Sequence, residues 1–125
     1  MSIDLRDSDY LEHIQDAIGK IHRYVAGKNE TEFVADELVQ DGVIRNLEII
    51  GEAVTKISQE LKAAHSDIPW RETSGMRNRL IHGYFSVNIQ IVWDTVERVL
   101  PEFLEKITTI KDELANGGYD NRMEP

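Results

Sequence analysis

The chain has 125 residues, no cysteine, and 14 basic against 23 acidic side chains, for a net charge of -9. That length fits one domain with a single core, and the missing thiols exclude disulfides, thiolate metal sites and a cysteine nucleophile. The negative charge excludes a protein that coats nucleic acid through many phosphate contacts, so any contact with nucleic acid must be local.

The start, "MSIDLRDSDY", has neither the basic opening nor the apolar run of a signal peptide, and nowhere do about 18 apolar residues follow one another. A cytoplasmic protein with no membrane contact is expected. The first helix is predicted over about residues 9 to 26, because Leu11, Ile14, Ala17, Ile18, Ile21 and Val25 recur at spacings of three and four. Ser8 is its expected N-cap and Gly27 its expected stop.

Thr31 is expected to cap a short turn, "TEFVAD". The longest helix should follow, running through "ELVQDGVIRNLEIIGEAVTKISQELKAA" with Leu38, Val43, Leu47, Ile50, Val54, Ile57 and Leu61 on one face. Gly42 and Gly51 lie inside it at a cost of about 1 kcal/mol each relative to alanine, so each marks either the close approach of another backbone or a tolerated defect, and for Gly51, beside Ile49 and Ile50, close packing is the preferred reading.

"HSDIPWRE" reads as a turn, and "WRETSGMRNRLIH" as a third helix ended by Gly83. Asn88 should cap a last segment marked by Val92, Val96, Val99, Phe103, Ile107, Ile110 and Leu114, which Pro101 must kink or split. The stretch "NGGYDNRMEP" carries no apolar period, and no strand or repeat is evident. The expected fold is therefore an all-α antiparallel bundle of four to six helices. It forms one domain over 1–125, with a core over about 8–115 and a tail over 116–125. The apolar stripes are wide enough to leave a second surface for self-association.

The chemistry concentrates in "GMRNRLIHGYF", residues 75 to 85. Asn78 and His82 share a helix face, whereas Arg77 lies about 140° round from His82 unless the last turn unwinds at Gly83. A histidine can move a proton near neutral pH, and an arginine can neutralise a pentacoordinate phosphate with paired N–H donors. Those are the minimum parts for metal-free RNA cleavage by the ribose 2'-hydroxyl, which leaves a 2',3'-cyclic phosphate. The same residues also suit a plain structural role, with Arg77 in a surface ion pair and His82 favoured by the helix dipole. Tyr84 and Phe85 suit packing at the bundle end.

Elsewhere the signals are weaker. His13, His22 and His65 are scattered, and no metal-ligand spacing appears. Glu48 and Glu52 stand one turn apart on what is best read as a salt-bridged face, with Arg45 pairing inside the helix. Trp70 and Trp93 read as core or interface anchors.

Taken together, "IRNLEIIGEA", "IPW", "GMRNRLIHGYF" and "VWDTVERVLPEF" resemble the HepT-like toxins of the HEPN superfamily over about residues 8 to 115. The resemblance implies an all-helical homodimer acting as a metal-independent endoribonuclease on RNA without a cofactor, its two Arg/His sets facing across the dimer cleft. It also implies Arg77 and His82 as the catalytic pair, Asn78 as support, Arg79 as an RNA contact and Tyr84 as a modification site. In such pairs the antitoxin is a minimal nucleotidyltransferase, MntA-like, that transfers AMP to the tyrosine. A non-catalytic helical protein that binds, or is modified by, a nucleotidyltransferase is the alternative.

Overall fold

The computed structural model describes residues 6–75 and 87–116, and among these every regular element is helical. In chain order they are α1 (Asp7–Val25), α2 (Glu30–Val34), α3 (Glu37–Lys56), α4 (Gln59–Ala64), a helical segment over 70–75, α5 (Ile89–Asp94) and α6 (Leu100–Ala115). A π-helical turn, Thr95–Val99, joins α5 to α6.

α1 forms as its stripe requires. Leu11, Ile14, Ala17, Ile18 and Ile21 are all buried, and each fully buried leucine or isoleucine contributes about 1.5–3 kcal/mol relative to exposure. Gly27 terminates the helix with φ +76°, a conformation that L side chains rarely adopt. The start differs from the expectation at Ser8. Arg6 occupies the N-cap position without a side-chain cap bond, and Asp7, the first helical residue, has its carboxylate engaged elsewhere.

That partner is Ser58, 51 positions away. Asp7 Oδ1 accepts from the Ser58 N–H at 2.9 Å and Oδ2 from the Ser58 hydroxyl at 2.6 Å. At the other end of α1, the Tyr24 ring lies so close to Gly42 that a Cβ there would stand 3.0 Å from it. The start of α1 therefore meets the end of α3, and the end of α1 meets its start, so the two helices are antiparallel. Gly42 is thus a point of close approach between the two helices, and Gly51 is buried as well.

Two further local readings are corrected. Asn29, not Thr31, caps α2, through a reciprocal box in which Glu32 N–H donates to Asn29 Oδ1 at 2.8 Å and Asn29 N–H donates to Glu32 Oε1 at 2.9 Å. The long helix expected to reach Leu61 stops at Lys56. Ile57 adopts extended backbone, and Ser58 caps α4 by accepting from the Leu61 N–H. Ile57 and Leu61 stay buried across the break, which explains why periodicity passed over it.

Leu38 also departs from its expected place on the buried face, being 83 % exposed. Val43, Leu47, Ile50 and Val54 keep theirs and pack against α1.

Asn88 caps α5 as expected, its Oδ1 accepting from the N–H groups of Gln90 and Ile91. The division expected at Pro101 falls just upstream of it, at the π-helical turn between α5 and α6, and Pro101 itself sits in the first turn of α6. Proline lacks an N–H and crowds the carbonyl four residues before it, and the π-turn immediately upstream widens the helix where that crowding would fall. Val92, Val96, Phe103, Ile107 and Ile110 all remain buried, with Val99 and Leu114 half-buried. Phe33 on α2 stacks on Trp93 on α5 at 5.1 Å between centroids, and Gln15 on α1 donates to Thr108 Oγ1 on α6 at 3.1 Å. α5 thus lies beside α2, and α6 packs along α1.

Candidate functional site

The five residues singled out in sequence, Arg77, Asn78, Arg79, His82 and Tyr84, lie outside the described residues. The described structure fixes what enters that stretch and what leaves it. On the entering side, the Trp70 indole N–H donates to the His65 carbonyl at 2.9 Å, and its ring meets Phe103 edge-on at 6.2 Å. Thr73 is buried and donates its hydroxyl to the Pro69 carbonyl at 2.6 Å, while Ile68 adds an apolar anchor. The helical segment over 70–75 therefore leaves the core from a fixed base. On the leaving side, Val87 packs against the core and Asn88 starts α5.

The loop before this segment is tied to α6. Lys106 Nζ lies 3.2 Å from Asp67 Oδ2 and 3.6 Å from Glu102 Oε2, and it also donates to the Asp67 carbonyl. The hydrogen bond from Lys106 holds the Asp67 carboxyl below its ordinary range, and the same bond raises Lys106. Near the α3–α4 break, Lys62 is lowered by burial, which the charge of Asp7 partly offsets.

A second arrangement was not singled out in sequence. A groove of about 600 Å³ lies between α1 and α3, lined by Tyr10, His13, Arg45, Glu48, Ile49, Glu52, Ala53 and Lys56. Tyr10 and His13 meet edge-on at 6.2 Å. Arg45 lies 3.9 Å from Glu48 and Lys56 3.7 Å from Glu52, so the salt-bridged reading of this face holds. Arg45, Glu52 and Lys56 are exposed and Glu48 is half-buried, and such surface pairs contribute little to stability. The signal available in sequence was the run Arg45, Glu48, Glu52, Lys56 at helical spacing; what it lacked was α1, whose Tyr10 and His13 form the opposite wall. Among the described residues no three His, Cys, Asp or Glu side chains are grouped to hold a metal ion, and no helix is long and apolar enough to cross a membrane.

The described residues form an all-α bundle, and the sequence Arg-x-x-x-x-His follows the helical segment over 70–75 that Trp70 and Thr73 anchor, which defines a class of small helical protein. Within that class the chain belongs to the HepT-like ribonuclease family: the model described as "Ribonuclease HepT-like" matches residues 14–110. Among similar proteins, "Putative RNase TTE0752" of Caldanaerobacter subterraneus subsp. tengcongensis is 41 % identical over 81 % of this chain and 90 % of its own length. "Probable ribonuclease HepT" of Thermococcus cleftensis is 41 % identical over 82 % of this chain and 94 % of its own. The chain also aligns with 47 % of "Gamma-glutamylcyclotransferase and putative RNase MJ0434" of Methanocaldococcus jannaschii, at 39 % identity. No solved structure matches it.

Proposed function

We propose that this chain is the toxin of a toxin–antitoxin pair, a metal-independent endoribonuclease whose site is completed by a second copy. The observation that carries the reading is the sequence Arg77, Asn78, His82, Tyr84 at family spacing in a chain that belongs to the HepT-like ribonucleases. His82 takes the proton from a ribose 2'-hydroxyl as that oxygen bonds to the adjacent phosphorus. Arg77 neutralises the charge gathering on the phosphoryl oxygens, with Arg79 holding the RNA backbone nearby. The bond to the 5'-oxygen breaks, a second acid protonates that oxygen, and a 2',3'-cyclic phosphate remains. His82 of the second copy suits the role of that acid, and Asn78, one turn before His82, suits support of the imidazole.

Tyr84 is the proposed switch. Attack of its phenolic oxygen on the α-phosphorus of ATP, catalysed by an MntA-like minimal nucleotidyltransferase antitoxin, transfers AMP and releases pyrophosphate. The new phosphodiester sets negative charge and bulk close to Arg77 in sequence, against the incoming RNA backbone.

Purified protein should cut RNA in the presence of a chelator and leave cyclic phosphate ends, and His82→Ala should lose about 10²-fold or more of that activity. An inactive wild type, or a His82→Ala variant that cuts equally well, overturns the nuclease. Co-expression with a neighbouring nucleotidyltransferase should add AMP by intact mass to wild type and none to Tyr84→Phe.

A further inference from the structure

Six lysines are spread along the chain, and their surroundings differ. Lys28, Lys56 and Lys106 are held by Asp36, Glu52 and Asp67 at 3.4, 3.7 and 3.2 Å. Lys20 is exposed on α1, and Lys111 is half-buried on α6. Lys62 stands apart from all five. It is half-buried on α4, makes no ion pair within salt-bridge distance among the described residues, and opens onto a groove of about 800 Å³ beside the helical segment over 70–75.

Only an unprotonated amine is a nucleophile, and burial lowers Lys62 from the ordinary lysine value, with the Asp7 charge offsetting part of that shift. The groove adds a second cation. Arg71 is exposed on the same wall and has no carboxylate within salt-bridge distance among the described residues. Two carboxylates share the groove, Asp67 and Glu72, and both also line a neighbouring groove of about 470 Å³ against α5 and α6, where Lys106 engages Asp67. Glu60, two positions before Lys62, falls about 160° away round α4 and does not line the groove.

A groove that offers an amine and, separately, an arginine suits a small electrophile that carries its own anion. A carbonyl with a phosphate leaving group has both parts. We propose that Lys62 is an acylation site, its amine taking the acyl group from an acyl phosphate whose phosphoryl oxygens are held by Arg71. The unprotonated Nζ attacks the acyl carbon, and the C–N bond forms as the C–O bond to phosphate breaks. Inorganic phosphate leaves with the bonding pair, and the surplus proton on nitrogen passes to solvent. The product is a neutral amide, so the chain loses a positive charge that acts on Asp7 and gains bulk in the groove that Trp70 lines.

The test uses the full chain with limiting acetyl phosphate at about pH 8, where ordinary lysines are almost wholly protonated, and peptide mapping by mass spectrometry at low conversion. Lys62 should be acetylated about threefold or more faster than Lys20 or Lys111, and urea should erase the preference by unfolding the groove. Arg71→Met should slow acetylation of Lys62 by acetyl phosphate about tenfold, because the phosphate loses its charged partner. The same variant should leave acetylation by a phosphate-free acetyl thioester unchanged, with circular dichroism confirming its fold. A Lys62 that reacts no faster than Lys20 and Lys111, or a preference that survives in urea, overturns the site, and this wild-type comparison stands even if the variant misfolds. A folded Arg71→Met that reacts normally with acetyl phosphate, or slows with both donors alike, overturns the acyl phosphate as donor. Neither readout involves RNA, so failure of the site leaves the proposed nuclease untouched.

Discussion

Asp7 has no exposed surface, and both of its oxygens accept from Ser58, whose own hydroxyl oxygen accepts from the Leu61 N–H. One carboxylate thus ties the first turn of α1 to the residue that ends α3 and starts α4. Asp7→Ala leaves the Ser58 N–H without its acceptor in a part-buried setting, and should lower stability by about 1–3 kcal/mol in urea denaturation. Asp7→Asn keeps an acceptor for the N–H and should lose less. Equal stability of wild type and Asp7→Ala would show that water replaces the carboxylate without cost. The contact was not legible in the sequence because its partners are 51 positions apart, and an aspartate just ahead of an amphipathic run reads as a solvated first-turn residue. Asn88 was legible for the opposite reason, since its cap bonds reach only two and three residues along the chain.

At the scale of elements, burial periodicity located the helices and said little about where they break. Ile57 and Leu61 remain in phase across the end of α3, and Pro101 is absorbed by a π-turn that keeps Val96 and Phe103 buried on either side. The loop that leads into the candidate site is held by a contact of the same nonlocal kind, Lys106 with Asp67, 39 residues apart. Its pH dependence follows from the two shifts. The depressed Asp67 contributes stability above the unfolded carboxyl value of about 3.9 and loses it as pH falls through its lower folded value. The raised Lys106 contributes below the unfolded lysine value of about 10.4 and loses it as pH rises through its higher folded value. The Tm difference between wild type and Lys106→Met should therefore be level across neutral pH and shrink at both extremes. Both groups face solvent, so added salt should shrink it as well. A difference that stays level or grows toward either extreme would show that the Asp67–Lys106 pair does not hold the loop.

For the whole molecule, the charge that argued against nucleic acid constrains how RNA must be held. Family membership came from blocks spread along the chain, whereas the role of each site residue depends on how Arg77 and His82 sit, which spacing alone left open between chemistry and a helix-end ion pair. With 23 acidic against 14 basic residues, few phosphates can be neutralised. If the proposed cleft uses Arg77 and Arg79 from two copies, about four phosphates are engaged at most. Each single-strand contact contributes about -0.7 to the slope of log K against log salt, so a slope no steeper than about -3 is expected. His82→Ala allows the measurement, because it keeps both arginines and should bind RNA without consuming it. Fluorescence anisotropy across a salt series gives the slope directly, and Arg79→Ala should flatten it by about 1.4 in a dimer, two contacts being lost. A slope steeper than about -5 would require a broad cationic surface that this acidic chain does not supply, and would move RNA binding away from a local cleft to a partner protein carrying the charge.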